Sequence, residues 1–197
     1  MEEKKIEWND AQWVAVYTKA RAEKKVAENL NALQLKPGCE GVRSYLPLQH
    51  QLHSWSDRKK WVDVPLFTSY VFVRITQRQL EYVRSTDGVA WVVGFGKSRQ
   101  PAFVPQREID ALRRLMDKQM QVFVEQTDKL HKGAHVKILT GAFAGMEGSL
   151  VSDCKDGNFA VSVTALNSSI VFDAGLINRD MLEYLGEEDS KKGLWNK

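Results

Sequence analysis

The chain has 197 residues, 43% hydrophobic and 27% charged, which suits a soluble globular protein with one ordinary domain and a small second one. Its charged start, "MEEKKIEWND", is unlike a signal peptide, and no apolar run approaches the ~20 residues that span a bilayer. Net charge is +3, but residues 1–131 carry 21 Lys/Arg against 16 Asp/Glu, while residues 132–197 carry 7 against 9. That mild basic bias is compatible with working beside nucleic acid and too weak for tight independent binding through counterion release. Cys39 and Cys154 stand far apart, which argues against a disulfide framework or thiolate metal site and for a reducing cytoplasm.

Taken in chain order, "WVAVYT" (13–18) is short, β-branched and aromatic, and predicts a strand. "KARAEKKVAENLNALQL" sets Ala22, Val26, Leu30 and Leu33 at helical spacing, and Lys36-Pro37-Gly38 stops that helix. Two extended segments, about 43–53 and 60–66, flank the turn-rich "SWSDRK" and predict a hairpin. The next strand is expected over 69–74, within "VPLFTSYVFV". Leu80 and Val83, ended by Asp87-Gly88, predict a short helix, and "VAWVVGFG" a further strand. Pro105 followed by Ile109, Leu112, Leu115 and Met116 on one face predicts a third helix. Hairpin connections dominate, so the N-terminal part, 11–120, reads as an α+β sandwich with a mainly antiparallel sheet.

Residues 121–131 lack a sustained period and read as a linker. From 132 to 186 short strands alternate with Gly, Asp and Asn and no helix pattern, as in a small five-stranded barrel. Residues 187–197 are charged and read as a disordered tail.

Several residue groups invite a chemical reading. His50 and His53 form H-x-x-H in a predicted strand, where the two side chains point to opposite faces, so no metal site is expected. No phosphate-cradling Gly loop, nucleophile elbow or paired-carboxylate site stands out, so neither catalysis nor a cofactor is expected. Trp55 and Trp61 flank the hairpin tip, where cross-strand packing is favoured over base stacking.

"KGAHVKILTGAFAGMEGSLV" (132–151) spaces Gly133, Gly141, Gly145 and Gly148 as turn positions around a strand, with Phe143 at the loop tip. From spacing alone, that Phe is expected to tuck inward. The order strand, Gly-x-Phe-x-Gly, strand also resembles the KOW motif, carried by an SH3-like barrel in NusG-type elongation factors and some ribosomal proteins. "WVAVYTKARAEKKVAENL", "RSYLP", "VPLFTSYVFV", "VRSTDGVAWVVGFG" and "PAFVPQREIDAL" resemble, in order, the strands and helices of the NGN domain of the NusG family. The likeness covers about residues 12–186, and the first helix with the "WSDRKKWVDVPLF" hairpin looks closest to UpxY-type paralogues, antiterminators similar to RfaH. Thr68-Ser69 replaces that family's usual Pro-Gly or Pro-Asn, Ala142 replaces a proline common in the KOW loop, and "QLE" (79–81) stands where RfaH-like proteins carry a His-Thr-Thr polymerase contact.

The resemblance implies a monomeric, non-enzymatic factor of the cytoplasm whose NGN domain binds the clamp helices of RNA polymerase, suppressing pausing or termination. The matching positions are Tyr17, Phe67, Tyr70 and Phe72. Phe67 and Tyr70 are read as partner contacts ahead of core filling, while both readings stay open for Tyr17 and Phe72. Lys19, Arg21, Lys24 and Lys25 on the first helix, with Arg58, Lys59 and Lys60 at the hairpin tip, are candidates to contact non-template DNA or nascent RNA. A solvated face is the plainer reading for the helix. Phe143, Ala144, Gly145 and Met146 would recruit a second partner, a small-subunit ribosomal protein or a termination factor. An operon-specific paralogue is favoured over a general factor. The competing class is an RNA-binding KOW protein of the translation apparatus, against which the −2 charge of the barrel half speaks.

Overall fold

The computed structural model describes residues 8–54, 59–95, 100–127, 133–141, 143–151, 158–173 and 179–187. The chain divides into two compact units, one of Met1–Gln119 with Thr164–Leu166, the other of Met120–Val163 with Asn167–Lys197.

In the first unit the elements run β1 (Gln12–Thr18), α1 (Glu23–Ala32), β2 (Arg43–Tyr45), β3 (Leu48–Ser54), β4 (Lys59–Pro65) and β5 (Tyr70–Ile75). They continue with α2 (Leu80–Arg84), β6 (Val89–Val92), β7 (Gly94–Phe95), β8 (Gln100–Pro101), β9 (Phe103–Val104) and α3 (Gln106–Asp117). The central sheet is antiparallel, in the order β2-β5-β1-β6, with β9 also pairing with β1. The mixed α/β class and the antiparallel sheet are those expected from the sequence.

Period-2 alternation gives this sheet two faces. Val14 and Val16 of β1 and Val71, Val73 and Ile75 of β5 all point to the first, where they are fully buried with Val26 and Leu30 of α1 and Val83 of α2. Each such side chain contributes roughly 1.5–3 kcal/mol on burial, so this layer anchors the unit. Glu23 departs from the expected solvated face of α1. It is buried, and its Oε1 accepts the Ser69 N–H at 2.7 Å. Gly88 ends the turn after α2 in the left-handed region (φ 87°), and a Cβ there would come 2.6 Å from Val26 Cγ2. Glycine is required at that point because the turn packs directly on α1.

The segment read as one long strand over 43–53 is two. β2 joins the central sheet, whereas β3 pairs only with β4 as a separate ribbon. Pro47 lies at the break, where its missing N–H cannot continue a ladder.

The second unit contains β10 (Val122–Gln126), β11 (Ala134–Ile138), β12 (Glu147–Leu150), β13 (Asn158–Val163), β14 (Ser168–Asp173) and β15 (Leu182–Glu187). They form one antiparallel sheet in the order β10-β14-β13-β12-β11-β15. Among the described residues no ladder joins the end strands β10 and β15. Six strands thus replace the five expected, because part of the supposed linker 121–131 is a strand: β10 pairs residue by residue with β14 from Val122↔Phe172 to Gln126↔Ser168. Five residues give too short a window for a period to show, and long-range pairing supplies the order that local pattern did not. Strand β15 extends to Glu187; the remainder of the expected tail lies outside the described residues, as do Cys154 and Ala142.

Candidate functional site

The second face of the central sheet is the unusual one. It carries Trp13, Ala15 and Tyr17 from β1 and Tyr70, Phe72 and Arg74 from β5, paired Trp13↔Arg74, Ala15↔Phe72 and Tyr17↔Tyr70. β2 adds Arg43 and Tyr45 opposite Arg74 and Phe72, and β6 adds Trp91 opposite Tyr17. A sheet packed by helices on one side needs only one apolar face, so this second one must be covered or used.

Helix α3 covers part of it. The Trp13 indole Nε1–H donates to Gln106 Oε1 at 2.8 Å, and the Arg113 guanidinium lies 5.4 Å from the Trp13 ring centroid and 5.2 Å from that of Tyr45. Ile109, Leu112 and Leu115 are fully buried along the helix. The end bearing Tyr17, Tyr70 and Trp91 remains accessible. Tyr17 and Tyr70 are half-buried and Trp91 is 55% exposed. Tyr17 stacks on Trp91 with centroids 4.1 Å apart and planes at 11°, and meets Tyr70 edge to face at 5.1 Å. Both geometries suit the ring quadrupole, so the three rings form a preorganised apolar surface edged by phenol hydroxyls. Burial, with the Tyr17 phenol beside it, pushes the Tyr70 hydroxyl above its ordinary value.

Phe67 and Phe72 correct the expectation that four residues form this surface. Phe67 is 4% exposed and Phe72 fully buried, and the two rings meet edge to face at 5.9 Å. Phe72 lies in the buried part of the same face, one pair along from Tyr17 and Tyr70, and Phe67 packs on it. The turn between them explains the inward course. The Tyr70 N–H donates to the Phe67 carbonyl at 3.2 Å, and Ser69 sits at φ 65°. With positive φ only at its third position, the turn is type II; Thr68 occupies the site proline favours and Ser69 the one glycine or asparagine favours. Trp91 is the residue the sequence alone did not single out. Its signal was a large ring in a strand otherwise of Val and Ala, and only pairing with β1 brings it beside Tyr17.

The described basic candidates lie in two separate regions of the first unit. Lys19 and Arg21 are exposed in the β1–α1 connection, Lys24 and Lys25 are exposed on α1, and Lys59 and Lys60 begin β4. Arg58 lies outside the described residues. So does Trp55, and Trp61 stacks on His50 instead, with centroids at 4.9 Å. His50 Nδ1 meets Asp63 Oδ1 at 2.6 Å across the ribbon. Among the described residues no three His, Cys, Asp or Glu side chains gather as a metal site.

In the second unit Phe143 and Met146 are buried, 8% and 2% exposed, and the Phe143 ring lies 5.1 Å from Phe172. The loop closes through Gly145 N–H to Ile138 O at 2.6 Å and Ile138 N–H to Met146 O at 2.9 Å. Phe143 and Met146 therefore serve the core, correcting their assignment as partner contacts, and only Ala144 and Gly145 of that group are exposed. Gly148 lets β12 lie close to its neighbour: a Cβ there would fall 2.6 Å from Phe159 Cε1.

Fold and surface define a class first: a mixed α/β domain whose antiparallel sheet bears an aromatic patch on its second face, followed by a β-rich region. The family model described as transcription termination factor nusG matches residues 11–113, and the chain belongs to the NusG family of transcription factors. Among solved structures, NusG of Thermotoga maritima, from work on its domain interaction, shares 23% identity over 89% of this chain and 98% of its own, with a TM-score of 0.48. Spt5, in the MjSpt4:Spt5 complex, shares 16% over 90% and 99%, with a TM-score of 0.32. A search of curated proteins finds no match. Membership rests on the family model, which spans the first unit from β1 through most of α3.

Proposed function

We propose that this protein is a transcription elongation and antitermination factor that binds RNA polymerase through the Tyr17–Tyr70–Trp91 surface. The observation that carries the reading is the half-exposed ring cluster left uncovered by α3 in a chain of the NusG family. Preformed aromatic rings bury large area at little entropic cost, as docking hot spots do. A domain held against the polymerase clamp acts by population shift: it binds the closed, elongating state better than the open, paused one, with no bond made or broken. The protein works in the cytoplasm as a monomer. The β-rich second unit recruits a further partner, a small-subunit ribosomal protein or a termination factor, near the exposed Ala144 and Gly145. Service to one operon, as in UpxY-type relatives, is favoured by the hairpin and first-helix sequences, and chromatin immunoprecipitation separates one-operon from genome-wide occupancy.

The test is capture of purified core RNA polymerase by wild type and by Tyr17→Ala/Trp91→Ala. Binding should fall by more than ~30-fold, the loss of a hot spot of about 2 kcal/mol. Full binding by a variant with an unchanged melting curve overturns the proposed surface.

A further inference from the structure

Among the described residues, each strand of the β3–β4 ribbon pairs only with the other. One bond fixes the phase of that pairing. The Leu66 N–H donates to the Pro47 carbonyl at 2.9 Å, one step beyond the register pair Leu48↔Pro65. Opposed residues in an antiparallel ladder alternate between bonded and non-bonded pairs. Gln49↔Val64, Gln51↔Val62 and His53↔Lys60 are therefore bonded pairs, and the backbone N–H and C=O groups of Lys59, Trp61 and Asp63 point away from β3. An open strand edge of this kind is a template for another strand. Trp61 is 57% exposed and its register partner Leu52 50% exposed, so one face beside that edge offers apolar surface as well.

We infer that β4 pairs antiparallel with β4 of a second copy of this chain, across a two-fold axis at Trp61, joining two ribbons into one four-stranded sheet. An axis perpendicular to the sheet keeps every side chain on its own face, so a residue opposes only residues of its own alternation. Centred on Trp61, the outward groups of Lys59, Trp61 and Asp63 meet those of Asp63, Trp61 and Lys59 of the second copy. Ladder phase and charge then agree: Lys59 faces Asp63 of the second copy on either side of the axis, and the two Trp61 rings meet at the centre. Asp63 uses Oδ1 for His50, at 2.6 Å, which leaves Oδ2 for the lysine. Centring on Val62 sets Trp61 against Asp63, and centring on Lys60 opposes like charges, so charge selects a single register. The outer edge of β3 turns Leu48, His50, Leu52 and Ser54 outward and has no opposite charges to set against each other. So short an edge makes an interface well under the ~1,000 Å² of a stable one, and pairing is reversible, with a dissociation constant on the order of 10–100 µM. The dimer is thus a form of the concentrated free protein, distinct from the monomer proposed to work on the polymerase.

Sedimentation of the full chain over a series from about 1 µM to about 0.5 mM should show reversible dimerisation. Lys59→Asp sets acid against acid and Asp63→Lys sets lysine against lysine, so each variant alone should dimerise at least about tenfold more weakly. Mixed one to one, the two variants should recover near wild-type association, because each supplies the charge the other lacks. That recovery also shows that both variants fold. Tyr17→Ala/Trp91→Ala should dimerise as wild type does; its failure to do so moves the interface to the ring surface and overturns the proposal. A chain that stays monomeric throughout the series overturns it as well, leaving the edge to a strand of a different protein. So does dimerisation that neither charge variant weakens, or that mixing does not restore.

Discussion

Tyr17 and Tyr70 are register partners across β1 and β5, and their rings meet edge to face at 5.1 Å on the side of the sheet away from α1. One residue pair further along the same face, Ala15↔Phe72, the surface is fully buried. The boundary between core and exposed patch therefore falls within a single pleat, and it separates residues whose removal should have opposite consequences.

Truncating the covered side should cost stability. Phe72→Ala removes a fully buried ring touching Phe67 and Tyr45, so urea unfolding should show a loss of about 3–5 kcal/mol. Trp91→Ala, at an exposed position with one stacked neighbour, should cost no more than about 1.5 kcal/mol. Similar losses for both would mean that the boundary is misplaced.

Much of this arrangement was legible in the sequence, and the failures share a cause. The stripe Val26–Leu30–Leu33 and the alternation of Val71, Val73 and Ile75 located the main core, because each reflects the period of its own element. Helix α3 was equally visible, yet nothing local says which sheet face it covers. That placement decides whether Phe72 is core and Tyr70 is surface. Phe67 depends on the left-handed Ser69, and Trp91 on pairing with Tyr17, a residue far away in the chain. Phe143 illustrates the converse: glycine spacing alone suggested an inward ring, as found, whereas the family likeness assigned it to partner contact.

The strained turn offers a second test. A non-glycine residue in the left-handed region costs roughly 1–2 kcal/mol, and Ser69 is held there by its N–H bond to the buried Glu23 carboxylate. Ser69→Asn should be neutral or stabilising by about 0.5 kcal/mol, whereas Ser69→Val should destabilise by more than about 1 kcal/mol, its branched Cβ being poorly tolerated at that φ. Denaturant midpoints of the two variants decide the point. Equal midpoints would show that the turn is not left-handed in solution.

Glu23 itself should be an acceptor first and a charge second. Glu23→Gln keeps an oxygen for the Ser69 N–H and should cost under about 1 kcal/mol, whereas Glu23→Ala leaves a buried donor unsatisfied and should cost roughly 1–3 kcal/mol. Thermal melts of the two variants, read with hydrogen exchange at the Ser69 amide, distinguish the cases: fast exchange is expected only in the alanine variant.

Tyr45 carries the sharpest prediction of sign. Its hydroxyl is buried with no hydrogen-bond partner among the described residues, and burial raises its pKa well above the ordinary tyrosine value, partly offset by Arg113. A raised folded-state pKa contributes nothing to the pH dependence while both states hold a neutral phenol, below about pH 10. Above that the unfolded chain ionises and the folded one resists, so stability falls as pH rises towards the folded pKa. Tyr70 adds to the same slope in the same direction, again through burial. Tyr45→Phe removes both the unsatisfied hydroxyl and its share of the alkaline loss. The variant should be at least as stable as wild type at neutral pH, by up to about 1 kcal/mol, and its advantage should widen between about pH 10 and 11. Urea titrations at neutral pH and at about pH 10.5 measure both quantities, and a variant that is weaker at neutral pH would show that the hydroxyl has a partner in solution.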